Sequence, residues 1–325
     1  ATQRQPMLLR CVVQLETGHS VPQTLRLVRA MLASFPIKAR KKMDSVAAVL
    51  EKLDEQHGLL RVFFSEFLRY HEAAAGRLEE LSAALASASP VSRRTASPAV
   101  PRSAGAARSS PRPADATIRA ARAEHMEQLG HRINFLNFCV VSAALTLTQE
   151  QLDVLWDRCV VHSITAGERD LIFRWVEQVR TNSNSALDTD STRYLFSRAS
   201  ELPAESLSPT AYACIEYLFR WINWREQRFS QQDHANVSVL DLPLHGIDTL
   251  WAAALCARDE AVGLRAVRFL VLLHHTLRLD TARAHQQQRE FVRQCMSSLD
   301  DAAGRLRVLE EQLGGKPAPP CTPPN

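Results

Sequence analysis

The chain has 325 residues, a formal net charge of +4 and only 11 glycines, and it is long enough to bury one large core or two ordinary ones. Leucine, alanine, arginine and glutamate are abundant, whereas the alternating Val, Ile and Thr runs typical of strands are nearly absent. The composition therefore predicts an all-α protein. Segment 87–117 carries five Arg and one Asp, while segment 118–314 has four more acidic than basic residues, and this distribution argues against DNA or RNA as a partner.

The seven cysteines are scattered along the chain and form no CxxC pair. Several lie in apolar stretches, where a free thiol behaves as a small hydrophobic group, and this usage is typical of a reducing compartment. The longest stretch without charge, residues 133–149, is too short and too polar to cross a bilayer, and no signal peptide opens the chain. We therefore expect a soluble protein of the cytoplasm or nucleus without membrane partners.

Apolar residues at helical spacing predict an N-terminal helical block, which we place at residues 1–85. It begins with a helix near residues 5–16. A second helix starts at Ser20, which opens a capping-box sequence. Two further apolar runs predict helices over residues 45–57 and 59–85.

Residues 86–117 have a different composition, dominated by Pro, Ser, Ala and Arg without recurring large apolar residues. Such a segment cannot bury enough surface to offset the entropy lost on ordering, so it is predicted to be a disordered linker. Its Ser-Pro and Arg-x-x-Ser/Thr sequences leave open a role as a phosphorylated segment. The Pro-rich tail, residues 315–325, is predicted to be disordered for the same reason.

A helical hairpin recurs within residues 118–314. The pattern (Leu/Ile)-Asp-x-Leu-Trp occurs at 152–156 and again at 247–251, and a looser copy of the hairpin starts near residue 191. A spacing of about 40–55 residues is close to the HEAT and armadillo periods. Because such hairpins bury their apolar faces only against their neighbours, the segment is predicted to form an α-solenoid. The residues that mark the repeats and are predicted to be buried are Leu155, Trp156, Leu195, Phe196, Leu250 and Trp251.

Residues 246–277 form the clearest of these hairpins, and the long helix predicted over residues 283–313 follows it. The predicted buried stripes of the hairpin are Ile247, Leu250, Trp251, Ala254 and Leu255 in its first helix and Ala266, Val267, Leu270, Val271 and His274 in its second. The long helix is predicted to turn Phe291, Val292, Cys295, Met296, Leu299, Leu306 and Leu309 inward.

Four residues with capping side chains predict helix starts in this region, namely Thr148, Thr165, Ser208 and Asp259. Both threonines are followed three residues later by Gln or Glu, which is the capping-box sequence.

No residue pattern in the chain predicts catalysis, a cofactor or a metal. No Gly-rich loop has the context of a nucleotide cradle, and no Ser, His and Asp set lies in a nucleophile elbow. Cys159 and His162 have the spacing of two metal ligands, but no second pair accompanies them. We therefore assign no catalytic, cofactor-binding or metal-binding residue.

One stretch interleaves aromatic and basic residues, and its members Arg220, Trp224, Arg225 and Arg228 are a candidate binding surface. Aromatic rings could stack on bases while arginines contact phosphates. The alternative is packing between repeats, because Trp224 shares the helical stripe of Leu218.

Four segments occur here in a particular order: LDVLWDRCV at 152–160, STRYLFSRASELPAESLSPTAYACIEYL at 191–218, GIDTLWAAAL at 246–255 and REFVRQCMSSL at 289–299. This ordered set resembles the helical-repeat region that precedes the catalytic domain in the large fat-facets-type ubiquitin-specific proteases. Residues 20–70 are loosely similar to the helical segment before it. The resemblance implies a parent protein that is a cytosolic, thiol-dependent deubiquitinase whose armadillo-like arms recruit ubiquitinated substrates and adaptors.

The Cys box and the His box of that family do not occur in this chain, so we assign none of its catalytic residues here. Our hypothesis is a non-catalytic scaffold segment whose partners are proteins. Two alternatives remain: a HEAT or armadillo adaptor unrelated to ubiquitin, and a helical-repeat nucleic-acid binder.

Overall fold

A computed structural model of the chain describes residues 4–33, 39–88, 113–143, 145–181, 187–231 and 237–312. These residues are mainly helical, as the composition predicted. They form two compact units, Ala1–Ser191 and Thr192–Asn325. None of the described helices combines the length and the apolarity that are needed to cross a membrane.

The first unit is built from seven helices within the described residues. They are α1 (Arg4–Thr17), α2 (Val21–Ala33), α3 (Ala39–His57), α4 (Leu59–Ala88), α5 (Pro113–Ala143), α6 (Gln149–Trp156) and α7 (Ala166–Thr181), with a π-helical turn at Asp157–Val161 after α6. The helices predicted in the N-terminal block are confirmed, and α5 continues through Gly130 without a break.

Helix α5 is the centre of the first unit, because it packs against α2, α3, α4 and α7. The ring of Phe63 on α4 lies 5.7 Å from that of Phe135 on α5, and the buried Arg132 of α5 pairs with Glu66 of α4 at 2.6 Å. The N-terminal block and the beginning of the repeat region therefore share one core, although the composition had placed a boundary at residue 118.

The predicted linker, residues 86–117, lies mostly outside the described residues. Helix α4 extends to Ala88 and α5 begins at Pro113, so both ends of the predicted linker belong to helices. The predicted tail at 315–325 also lies outside the described residues.

The second unit contains a helical hairpin, a short two-stranded sheet and a long final helix. Its elements are α8 (Thr189–Ser200, which begins in the first unit), a 3₁₀ turn (Ala204–Ser206), α9 (Pro209–Arg225), β1 (Phe229–Gln231), β2 (Val237–Val239), α10 (Ile247–Cys256), α11 (Glu260–His275) and α12 (Thr281–Gln312).

The predicted caps are largely confirmed. Thr148 and Gln151 form the complete capping box at the start of α6. The hydroxyl of Ser208 accepts from the Ala211 amide at α9, and the Asp259 carboxylate accepts from two amides of α11. Local sequence therefore determines where these helices begin.

Strands β1 and β2 were not predicted from the sequence. They pair antiparallel with Phe229 opposite Val239, and Val239 also forms a bridge with Leu277 beyond α11. Phe229, Val237 and Val239 are buried. The apolar runs are too short to predict strands by themselves, and contact with the hairpin supplies the missing stabilisation.

The α10–α11 hairpin is confirmed, but parts of its predicted buried face are wrong. Leu255, Val267 and Val271 are exposed. The side chains that are buried in the two helices are Leu250, Trp251, Ala253, Val262, Ala266, Phe269, Leu270 and Leu273. Apolar residues surround most of α11, so more than one stripe fits its periodicity. The stripe that contains Phe269 is buried because this ring packs on Phe219 of α9 at 5.8 Å.

Helix α12 differs most from the prediction, because none of its residues is buried. Its ring contact with the hairpin is at Phe291, which lies 5.4 Å from Trp251 and 4.0 Å from His274 between ring centroids. The residues predicted to face inward but found exposed are Val292, Met296, Leu299, Leu306 and Leu309. The apolar stripe exists, but no described element covers it.

Candidate functional site

A buried cluster of titratable side chains joins three helices of the first unit. His71 on α4 and His125 on α5 both contact Glu168 on α7, with distances of 3.0 Å from His71 Nε2 to Oε2 and 3.1 Å from His125 Nε2 to Oε1. The exposed fractions of the three residues are only 2%, 4% and 0%. The cluster is therefore buried inside the unit.

Further bonds fix the cluster in place. The Thr165 amide donates to Glu168 Oε1 at 2.8 Å, and Tyr70 Oη lies 2.9 Å from His125 Nδ1. Burial tends to raise the pKa of Glu168, but the hydrogen bonds from His125 and His71 outweigh burial and lower the pKa to about 2. The carboxylate is thus ionised and saturated with donors at neutral pH.

Two imidazoles and a carboxylate are a donor set that could hold a divalent cation, and their ligand atoms lie within 4.8 Å of one another. Both carboxylate oxygens, however, already accept hydrogen bonds from within the protein. A small pocket of about 170 Å³ is lined by His125 but by neither His71 nor Glu168. We interpret the cluster as a buried hydrogen-bond network that holds α4, α5 and α7 together.

The sequence analysis identified only the local role of Glu168. The carboxylate does return to the Thr165 amide as a capping box requires, but the Thr165 hydroxyl contacts Met126 Sδ at 3.2 Å instead of capping the helix. The two histidines were missed because they lie far away in sequence and belong to no motif.

Cys159 and His162, which have the spacing of metal ligands, do not converge on a common point. Cys159 is fully buried, whereas His162 is exposed and bonds the carbonyl of Asp157 at 3.0 Å.

Arg220, a member of the candidate binding surface, lies in the core of the second unit. It is only 9% exposed, it pairs with Glu216 at 2.8 Å, and its guanidinium lies 4.1 Å from the centre of the Phe269 ring. Arg265 also bonds Glu216 at 2.8 Å. Arg220 therefore holds α9 against α11 and is not available to a surface ligand.

The other three members of that set differ in their surroundings. Trp224 is 46% exposed, and Arg225 is exposed beside it. Arg228 is partly exposed, pairs with Glu226 at 3.0 Å and donates to the Pro243 carbonyl. Only Trp224 and Arg225 therefore present largely free side chains.

The six repeat markers are all buried. The exposed fractions of Leu155, Trp156, Leu195, Phe196, Leu250 and Trp251 are at most 8%.

The start of α10 in the second unit is fixed by hydrogen bonds, because the Asn223 side chain on α9 donates to the His245 carbonyl and accepts from the His245 amide. Gly246 follows with a φ of 76°, and a Cβ there would lie 2.4 Å from the Phe196 ring.

A concave groove lies between α10, α11 and α12. It has a volume of about 350 Å³, and its apolar lining includes Leu244, Trp251, Leu277 and Phe291. His274 also lines the groove, and burial lowers the pKa of its imidazole to about 4. The groove is open to solvent between the hairpin and the final helix, so a ligand can enter it from outside.

The family model of the UBP24/USP9X/USP9Y ARM repeat matches residues 1–223 of the chain. The chain belongs to this ARM repeat family. Its fold is therefore of the armadillo-like type, in agreement with the expectation from the repeated hairpins and from the ordered segments.

Curated relatives of this ARM repeat chain are ubiquitin carboxyl-terminal hydrolases. It is 25% identical to ubiquitin carboxyl-terminal hydrolase 9X of Mus musculus over 192 residues, which are 58% of this chain and 7% of that protein. It is 28% identical to ubiquitin carboxyl-terminal hydrolase puf of Drosophila melanogaster over 197 residues, or 58% of this chain and 5% of that protein. It is 23% identical to ubiquitin carboxyl-terminal hydrolase 24 of Homo sapiens over 193 residues, which are 57% of this chain and 7% of that protein. The chain thus spans a small fraction of the length of these relatives.

Proposed function

We propose that this chain is a non-catalytic, protein-binding segment of a large ubiquitin-specific protease, and that it helps to recruit ubiquitinated substrates or adaptors. The observation that carries the proposal is the match of residues 1–223 to an ARM repeat family that is named after such proteases. Armadillo repeats stack helices into extended surfaces, and such surfaces are used to bind other proteins.

The state of the cysteines supports a non-catalytic role. Thiol nucleophiles need a lowered pKa and an accessible position. Burial instead raises the pKa values of Cys11, Cys139 and Cys159, with nearby carboxylates adding to the effect at the last two. These three thiols are therefore protonated and shielded at neutral pH.

The first experiment incubates the chain with a ubiquitin C-terminal fluorogenic substrate. We expect no turnover, because the Cys box and the His box of these proteases do not occur in the chain. Turnover that a cysteine-directed reagent abolishes would contradict the proposal.

The second experiment uses the parent protease with and without the region that corresponds to this chain. We expect the deletion to leave cleavage of the small fluorogenic substrate intact and to slow cleavage of a ubiquitinated protein. Equal loss in both assays would indicate a role in the catalytic domain itself, which would overturn the recruitment proposal.

A further inference from the structure

The groove between α10, α11 and α12 has the size and lining of a site for one anchoring side chain. Its volume of about 350 Å³ is at the lower end of the range of roughly 300–1,000 Å³ that is typical of ligand pockets. A cavity of this size accommodates a bulky apolar side chain with its neighbouring backbone. It is too small to accept a secondary-structure element.

The walls of the groove are suited to an apolar anchor. The Trp251 and Phe291 rings lie 5.4 Å apart between centroids and line the groove from two helices. Ile247 and Leu277 add aliphatic surface. Apolar side chains that fill aromatic-lined pockets supply most of the binding energy in protein interfaces.

Charges at the groove have one sign. The charged residues that line it are Asp248 and Glu290, both exposed carboxylates. Glu290 pairs with Arg293 one turn later on α12, whereas Asp248 forms no ion pair with any described residue. His274 is neutral at pH 7 because burial lowers its pKa to about 4. The rim is therefore complementary to a cation, and Asp248 is the carboxylate able to accept one.

We propose that this groove binds a short segment of a partner protein in which a bulky apolar side chain is flanked by Lys or Arg. The apolar side chain packs against the contacting rings of Trp251 and Phe291, and the basic neighbour pairs with Asp248. This inference rests on the proposed function, since it names the chemistry of one class of partner that the scaffold would recruit.

The test is selection from a synthetic peptide library in which two central positions vary over all residues in a neutral Gly/Ser background, with the full chain as bait. We expect enrichment of Leu, Ile, Met, Phe or Trp at one position and of Lys or Arg at the other. The library uses no lysate protein, so the selected chemistry is read directly. Absence of enrichment, or enrichment of acidic residues beside the anchor, would overturn the proposal.

Two substitutions at exposed positions test separately how the apolar side chain and the basic neighbour of the peptide contribute to binding. Gln294→Trp places a large ring into the groove from the outer face of α12, and we expect selected peptides to bind at least tenfold more weakly. Asp248→Lys should switch the preferred flank from basic to acidic while keeping the apolar preference. Asp301→Lys, a matched charge change farther along α12, should change neither.

Folding of each variant is checked by circular dichroism and thermal unfolding, so that loss of binding is not confused with loss of structure. Unchanged peptide binding by a folded Gln294→Trp variant would show that the groove is not the site. If the chain selects no peptide but still promotes cleavage of ubiquitinated protein by the parent protease, only the groove assignment fails and the scaffold function stands.

Discussion

Glu168 is the residue on which the polar core of the first unit depends. Its carboxylate accepts from His71, His125 and the Thr165 amide, all within 3.1 Å. The Glu168→Gln variant presents one oxygen and one amide group, so a buried donor faces another donor. We expect a loss of about 2–4 kcal/mol in the free energy of unfolding, because unpaired buried polar groups are costly.

Urea unfolding at pH 7 measures this loss. Glu177→Gln on the same helix provides the control, since Glu177 is partly exposed and forms no ion pair with another described residue. Its unfolding free energy should change by less than about 0.5 kcal/mol, as for most surface substitutions. If the Glu168 variant and the original chain had the same free energy of unfolding, the cluster would not stabilise the packing of the three helices.

His274 makes the second unit sensitive to mild acid. Burial lowers its pKa from 6.5 to about 4, so the folded chain keeps the imidazole neutral while the unfolded chain takes up a proton below pH 6.5. The stabilisation is complete above pH 6.5 and is lost as the pH falls towards 4. Because the side chain is partly exposed, we expect a loss of about 1 kcal/mol between pH 7 and pH 5 after allowance for solvent screening.

Comparison with His274→Gln isolates this effect, since the other titrating groups are common to both proteins. The difference in unfolding free energy between the two proteins should change by that amount between pH 7 and pH 5. A difference that stays constant over this range would contradict the assigned pKa.

Residue-level prediction from sequence succeeded where the determinants are local. Thr148 and Ser208 cap their helices as expected, because a cap depends on residues within one turn. The partners of Glu168 could not be found in this way, since His71 lies 97 residues before it. Arg220 was placed on a surface for a related reason: its burial depends on Phe269, which belongs to another helix.

At the scale of elements, Gly246 determines how α10 starts. Its φ is +76°, and a Cβ would lie 2.4 Å from two atoms of the Phe196 ring. Gly246→Ala is therefore expected to destabilise the second unit by about 1–3 kcal/mol, because the positive φ strains the backbone of alanine and its Cβ displaces the Phe196 ring.

Gly304 lies inside a regular helix, and the opposite effect of an alanine substitution is expected there. Gly304 of α12 has no atom within 4 Å of a built Cβ, so Gly304→Ala should be neutral or stabilising by about 0.5–1 kcal/mol. Thermal unfolding of both variants is the measurement. If the two alanines had the same effect, the close approach of Phe196 would not matter.

The faces of the helices were predicted less well than their positions. Periodicity identifies an apolar stripe but does not specify the element that covers it. In α11 the covering element is α9, whose Phe219 selects Phe269 for the core and leaves Val267 and Val271 exposed. In α12 the stripe that includes Leu299 and Leu306 is exposed because no described element packs on it.

At the scale of the whole molecule, the chain contains two compact units. Leu273→Ala, at a position only 1% exposed in α11, should cost about 2–5 kcal/mol through the cavity it leaves. We expect hydrogen–deuterium exchange to rise mainly in α9, α10 and α11. The same rise in α4, α5 and α7 would show that the two units unfold as one.

The division of the chain could not be predicted from composition alone. The change at residues 86–117 suggested a domain boundary, but α5 beyond it packs on α2, α3 and α4 before it. The repeated hairpins and the family, in contrast, were predictable, because both depend on the order of segments along the chain and not on which segments meet in space.

The cluster of His71, His125 and Glu168 also constrains the order of events during synthesis on the ribosome. Glu168 follows His71 by 97 residues and His125 by 43, so at about 5–20 residues per second it is added roughly 2–9 s after His125. Until then the imidazoles on α4 and α5 have no carboxylate partner, and the first unit cannot complete its core. During this interval the surface of α5 that α7 covers in the folded unit is exposed, and a chaperone can bind it.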